Sequence, residues 1–327
     1  MSRRAVGLVL ALALVHCFPS WAAGQQGKTS RIGFLSYSSA AVYSARLAEH
    51  RRALADLGWV EGRNLVIEQR SAETQNERLP ELAADLVRAG VSVIVAENAS
   101  ATRAAMQATS SIPIVMAGVG DPVRYGLIAS LPRPGGNVTG LAFLAGEMLL
   151  KNLELLKEVA PRTARVALLV NPSNPGVAPT MADLQREAPA LGIRVIQVDV
   201  LTPDDFERAF ATIVRERADG ILVTPEQLIF SQRHRIAAFA EKHRLPSAYA
   251  SGRFMDAGGL IALTPNIADF PRRLASYVDK LLKGAKAGDL PVEQPSKFEL
   301  VINAKTAKAI GLTLPQSLLQ RADRIIE

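Results

Sequence analysis

Val91-Ser92-Val93-Ile94-Val95-Ala96 is followed by Glu97-Asn98-Ala99-Ser100, then by a helical pattern near Ala101 to Thr109, then by the apolar run Ile112-Pro113-Ile114-Val115-Met116. Both runs are continuous rather than alternating, the signature of strands covered on both faces. Parallel neighbours need a crossover between them, and a helix supplies it. The stretch therefore predicts a parallel α/β sheet. Upstream, Ile32-Gly33-Phe34-Leu35 leads to a helical pattern from Tyr43 to Leu57, with Ala45, Leu47, Ala48, Leu54 and Leu57 spaced along one face. Leu65-Val66-Ile67 then precedes a predicted helix near Glu77 to Ala89. Downstream, a helix is predicted over Pro122 to Ser130, and Val138 to Phe143 closes the first half.

The second half repeats the pattern, with strands predicted at Val166 to Val170, Ile193 to Val198, Gly220 to Val223, Ser247 to Tyr249 and Leu260 to Leu263. Helical segments between them include Thr202 to Arg217 and Ser231 to Arg244. The strands divide evenly about Leu144 to Pro161. This predicts α/β architecture with two doubly wound parallel-sheet lobes, over residues 30–142 and 143–266. Residues 267–290 are expected to return to the first lobe as a long helix. Residues 291–327 add a strand near Phe298 to Ile302 and short helices, whose lobe the sequence leaves open.

A length of 327 residues agrees with two domains, and 48% hydrophobic with 21% charged residues excludes disordered, collagenous and coiled-coil classes. At the N-terminus, Ser2-Arg3-Arg4 precedes the apolar run Ala5 to Leu14 and the exit Val15-His16-Cys17-Phe18-Pro19-Ser20-Trp21-Ala22-Ala23. That order predicts a secretory signal peptide over residues 1–22, because cleavage after Ala22 puts Ser20 and Ala22 where small side chains are needed. Leu14-Val15-His16-Cys17 has the outline of a lipoprotein box, against which bulky His16 argues. Removing the leader takes away the single Cys, and with it thiol chemistry. It also removes two arginines and no acid, lowering the formal charge from +7 to +5. So modest and dispersed an excess does not mark a nucleic-acid surface.

Chemistry-bearing motifs are scarce. The first strand-to-helix turn, Ser36-Tyr37-Ser38-Ser39, lacks the glycines that let a dinucleotide approach a helix, and neither a P-loop nor a Gly-x-Ser-x-Gly elbow occurs. No cofactor is expected. His234 and His243 stand nine residues apart on different faces of one helix and are read as solvated residues, so no metal is expected either. Glu97 and Asp121 both follow strand-like runs, where ligands bind in open α/β sheets. Asp121 precedes Pro122 as a helix cap would, and Glu97 suits a ligand contact or a solvated loop acid equally. Pro134-Gly135-Gly136-Asn137-Val138-Thr139-Gly140 reads as a tight turn entering a strand. In Asn171-Pro172-Ser173-Asn174-Pro175-Gly176, Asn174 can cap a helix or face a ligand.

Together these segments resemble the ABC-transporter substrate-binding protein family that includes tryptophan- and tyrosine-binding members. The resemblance rests on Arg31-Ile32-Gly33-Phe34-Leu35-Ser36, Leu57-Gly58-Trp59-Val60-Glu61-Gly62-Arg63-Asn64, Ala108-Thr109-Ser110-Ser111-Ile112-Pro113-Ile114-Val115 and Gly120-Asp121-Pro122-Val123. It continues through the Pro134 to Gly140 turn, Asn171-Pro172, Gly258-Gly259-Leu260 and Lys297-Phe298-Glu299-Leu300-Val301-Ile302-Asn303, covering about Arg31 to Glu327. It implies a type I periplasmic-binding fold: two lobes, crossover segments as hinge, and one ligand closed between them. The chain departs from the family at Glu97-Asn98-Ala99-Ser100, where members carry a Gly/Thr-rich turn, and near Leu263-Thr264, where they carry Tyr-Gly.

With both sets of strand C-termini facing one cleft, the expected ligand-binding residues are Ser36, Tyr37, Asn98, Ala99, Ser100, Gly118, Asp121, Thr139, Asn171, Asn174, Thr224, Tyr249 and Thr264. This polar, mostly uncharged set suits a zwitterion or polar heteroaromatic. The expectation is a monomeric periplasmic solute-binding protein, not an enzyme, that passes a small polar or amino-acid-like molecule to ABC permease subunits in the inner membrane. The alternatives are a ligand sensor for a membrane receptor and, behind it, a cleft enzyme using Glu97 or Asp121.

Overall fold

The computed structural model describes residues 29–143 and 145–327. The expected leader, its cleavage site and Cys17 lie outside the described residues. The chain begins with β1 (Ser30–Ser36), α1 (Ala40–Asp56), β2 (Leu65–Ser71), α2 (Leu79–Arg88), β3 (Val93–Ala96), α3 (Ala99–Ala108), β4 (Ile114–Val119) and β5 (Val138–Ala142). The five strands form one parallel sheet in the order β2-β1-β3-β4-β5. In β3 the side chains alternate between faces. Ile94 and Ala96 join the apolar cluster under α2 and α3, whereas Val93 and Val95 join the one under α1. Coverage on both sides is why this strand carries no polar alternation.

The predicted helix over Pro122 to Ser130 is a single turn. Tyr125 N donates to Asp121 O at 3.0 Å, but Gly126 adopts a left-handed conformation at φ +67°, which ends helical progress.

The chain continues through α4 (Ala145–Val159), β6 (Arg165–Val170), α5 (Val177–Glu187), β7 (Arg194–Asp199), α6 (Phe206–Arg215), β8 (Gly220–Val223), α7 (Gln227–Ser231), α8 (Arg233–Lys242), β9 (Ser247–Tyr249) and β10 (Ile261–Pro265). It ends with α9 (Phe270–Leu282), β11 (Phe298–Asn303), α10 (Ala304–Ala309), α11 (Gln316–Arg321) and β12 (Arg324–Ile326). The second sheet has seven strands, ordered β12-β11-β10-β9-β8-β6-β7. Its core, β7-β6-β8-β9-β10, repeats the strand order of the first sheet. β11 runs antiparallel to β10, the one antiparallel strand pairing among the described residues.

α9 packs on the first lobe, where Leu274, Ala275, Tyr277, Val278 and Leu281 share a cluster with Ile32, Phe34 and Leu47. Trp59 Nε1 fixes its outer face by donating to Asp279 Oδ1 at 2.9 Å. The backbone therefore passes between lobes three times: from β5 to α4, from β10 to α9, and from Glu293 to β11. The last passage is anchored at both ends, by Glu293 N donating to Gly140 O at 3.0 Å and Asn266 N donating to Lys297 O at 3.0 Å. Among the described residues, no helix is long and apolar enough to cross a membrane.

Candidate functional site

In each sheet the strand order reverses between two adjacent strands, β1 and β3 in the first, β6 and β8 in the second. Helices leave such a point in opposite directions and open a crevice at the strand C-termini. Here the two crevices face each other. At the first, Glu97 follows β3 and is only 8% exposed. Its Oε2 accepts from Ser36 Oγ at 2.6 Å and Ser38 N at 3.0 Å, and its Oε1 from Ser38 Oγ at 2.7 Å and Arg46 Nη1 at 2.7 Å. Four donors thus bind the carboxylate to the β1 loop and to α1. Arg46 spans the cleft, its Nη2 donating to Gln227 Oε1 at 2.8 Å.

At the second crevice, Thr224 Oγ1 donates to Leu169 O at 2.9 Å, and Asn171 Oδ1 accepts from Ser173 N at 3.1 Å and Ser173 Oγ at 2.6 Å. Glu226 caps α7, accepting from Leu228 N at 2.8 Å and Ile229 N at 3.4 Å. Enclosure in the cleft pushes its carboxyl up to about 7, and the negative field of Glu97 adds to the shift, while the α7 amides and Asn171 oppose it.

Between the crevices lies a cavity of about 920 Å³, large enough for a small organic ligand. One part of its wall is aromatic: Phe143 and Phe270, each beside a passage between lobes, stack at 5.5 Å between centroids. Phe230 and Phe298 contribute elsewhere. Arg253 also lines the cavity, with its guanidinium 4.5 Å from the Phe230 ring centre and no carboxylate partner among the described residues. Burial, and then the positive fields of Arg46 and Arg233, hold it below the usual arginine range.

The lobes are closed on each other. Besides Arg46 and Gln227, Asn76 Nδ2 donates to Ser173 Oγ at 2.9 Å, and Arg124 pairs with Asp183 on α5. Tyr37, from the first lobe, packs into the apolar cluster of the second beside Leu228 and Phe254.

Of the residues expected from sequence, Asn98, Ala99, Gly118, Asn171, Asn174, Thr224 and Thr264 line the cavity. Asn98 also caps α3 by accepting from Ala101 N at 2.8 Å, and Asn174 accepts from Gly176 N at 2.9 Å. Ser36, Tyr37, Ser100, Asp121, Thr139 and Tyr249 lie off the wall, for separate reasons. Ser36 stands behind Glu97, Tyr37 is consumed by lobe packing, and Ser100 lies on α3 away from the wall. Asp121 Oδ1 accepts from Arg124 N at 3.1 Å, as a turn cap does. Thr139 Oγ1 donates to Leu290 O at 2.7 Å, and Tyr249 stacks on Phe254 inside the second core at 4.7 Å. Sequence reasoning overlooked Arg46, Glu226, Gln227, Phe230 and Arg253. The available signals were the proximity of Glu226 to Thr224, just past β8, and the position of Arg46 near the start of the helix that follows the first crevice.

Comparison with known proteins gives a consistent answer. Residues 44–326 match the family model described as ABC transporter substrate binding protein. A tyrosine-binding protein of Clostridioides difficile (strain R20291) is 27% identical over 262 residues, 80% of this chain and 75% of the relative. Among solved structures, a conserved domain protein from Vibrio cholerae O1 biovar El Tor is 26% identical with a TM-score of 0.84, over 91% of this chain and all of the other. The ABC domain from Streptococcus pneumoniae in complex with L-Trp is 24% identical with a TM-score of 0.81, with the same coverage.

Proposed function

The chain belongs to the ABC transporter substrate-binding protein family, and from that premise we propose that it binds an amino acid with an aromatic side chain, or a close analogue, and delivers it to an inner-membrane permease from the periplasm. The supporting observation is the make-up of the closed cavity. Its second crevice offers acceptors at Glu226 and Asn171, Arg253 offers a guanidinium with no carboxylate partner among the described residues, and Phe143 with Phe270 offers a flat apolar wall. Such a set complements an ammonium, a carboxylate and a ring in one molecule. The tyrosine-binding relative and the L-Trp complex lend the same class of ligand. The leader expected at residues 1–22 agrees with export, and the protein acts as a monomer that carries its ligand without covalent change.

Calorimetry tests this directly. The protein is unfolded, dialysed and refolded to remove any carried ligand, then titrated with the twenty amino acids and with benzoate as a ring bearing only a carboxylate. One-to-one binding of an aromatic amino acid is expected, with no product formed. Binding of no aromatic amino acid and no benzoate, or conversion of a bound compound to product, would overturn the proposal.

A further inference from the structure

Two buried polar atoms on α1 have no hydrogen-bond partner among the described residues. Tyr43 is 1% exposed and its Oη meets neither donor nor acceptor, and His50, 7% exposed, leaves Nδ1 equally alone. Both residues line the cavity. They stand seven positions apart, two turns along one face of the helix, and both rings pack on Phe34, with centroids at 6.2 and 5.7 Å. Arg46, between them in sequence, is already engaged by Glu97 and Gln227. Tyr43 belongs to the apolar cluster against which Phe270 of the aromatic wall packs.

Buried polar groups in folded proteins are nearly always paired, so each exception calls for a cause. Two further such atoms among the described residues, Asn76 Oδ1 and Tyr249 Oη, are not on the cavity wall. The α1 pair differs in that filling the cavity would bring it a partner. Burial, and then the charge of Arg46, push the imidazole of His50 down to about 4, so the ring is neutral near pH 7 and Nδ1 can accept. Tyr43 Oη can donate. A hydroxyl can pair with either atom, because it accepts and donates at once, whereas a carboxylate only accepts and an ammonium only donates.

We propose that Tyr43 and His50 form a hydroxyl-reading subsite, which makes the protein selective for an aromatic amino acid bearing a phenolic hydroxyl over its deoxy analogue. This rests on the solute-binding function proposed above and adds the identity of the group read at the end of the cleft nearest α1.

The probes are L-tyrosine and L-phenylalanine, titrated into ligand-stripped parent, Tyr43→Phe and His50→Phe proteins. The parent should favour L-tyrosine by roughly ten- to a hundredfold, the range for a buried hydroxyl contact. Tyr43→Phe should lose at least about tenfold of that preference by weakening L-tyrosine alone, and His50→Phe should shift it the same way. Neither variant should melt earlier than the parent without ligand, since each removes an unpartnered atom. Equal binding of the two probes by the parent, or a preference undiminished in Tyr43→Phe, overturns the subsite. If neither probe binds but L-tryptophan or benzoate does, the subsite fails and the solute-binding function stands. If nothing binds, both fail.

Discussion

Glu226 is held by opposing influences. Enclosure and the facing Glu97 favour its neutral form, while the α7 amides and Asn171 favour the charged one, and the balance lies at about 7. A carboxyl raised in the folded state binds its proton more tightly there than in the unfolded chain, so stability falls as pH rises from about 4.5 through 7. Glu226→Gln retains an oxygen to cap α7 and removes the titration. The variant should match the parent near pH 4 and exceed its stability by on the order of 2 kcal/mol at pH 8, measured by urea unfolding at both values. A constant difference across that range would contradict the assignment. At this scale the sequence was informative after β3, β6 and β8, where position alone brings Asn98, Asn171 and Thr224 to the crevices. It was silent about Arg46 and Arg253, whose reach depends on the rotation of α1 and on the path after β9. Thr139 and Tyr249 were expected at the site and lie off its wall for another reason: a residue inside a two-sided strand gives no sign of which face it takes.

Among the elements, β4 contains a bulge between Ala117 and Val119, where Gly118 takes φ +95° and a Cβ would strike the Phe143 ring. The glycine thus lets the strand run past its expected end at Met116 and seats an aromatic of the cavity wall. Gly118→Ala should cost about 1–3 kcal/mol through backbone strain and crowding. Because it displaces Phe143, it should also weaken ligand binding, which thermal unfolding and calorimetry would separate. Unchanged stability would show that the strand tolerates a side chain there. Most strands were legible because continuous apolar runs admit little else in a two-sided sheet. The stretch from Pro122 was misread since proline and an acidic cap announce a helix start, while its stop lies in the φ of Gly126. β12 escaped notice for a related reason: three residues with Arg324 at a sheet edge have no apolar period to detect.

For the whole molecule, the repeated strand order of the two lobes sets one crevice against the other, and three chain passages join them. The polar contacts that hold them shut are individually weak, and Tyr37, buried in the apolar cluster of the second lobe, adds to them. The Arg124–Asp183 pair is half exposed on the arginine side and contributes at most about 1 kcal/mol, and the Arg46–Gln227 and Asn76–Ser173 contacts are single hydrogen bonds. A ligand that touches both lobes only when they are closed adds its own binding free energy to the closed side of the equilibrium. A permease would read that closure. Solution scattering tests it most directly, on ligand-stripped protein and again with L-tyrosine at saturation. The radius of gyration should fall on binding while the molecular mass stays constant. Superimposable profiles, with the ligand shown to be bound one to one, would contradict closure and leave a rigid cleft in its place.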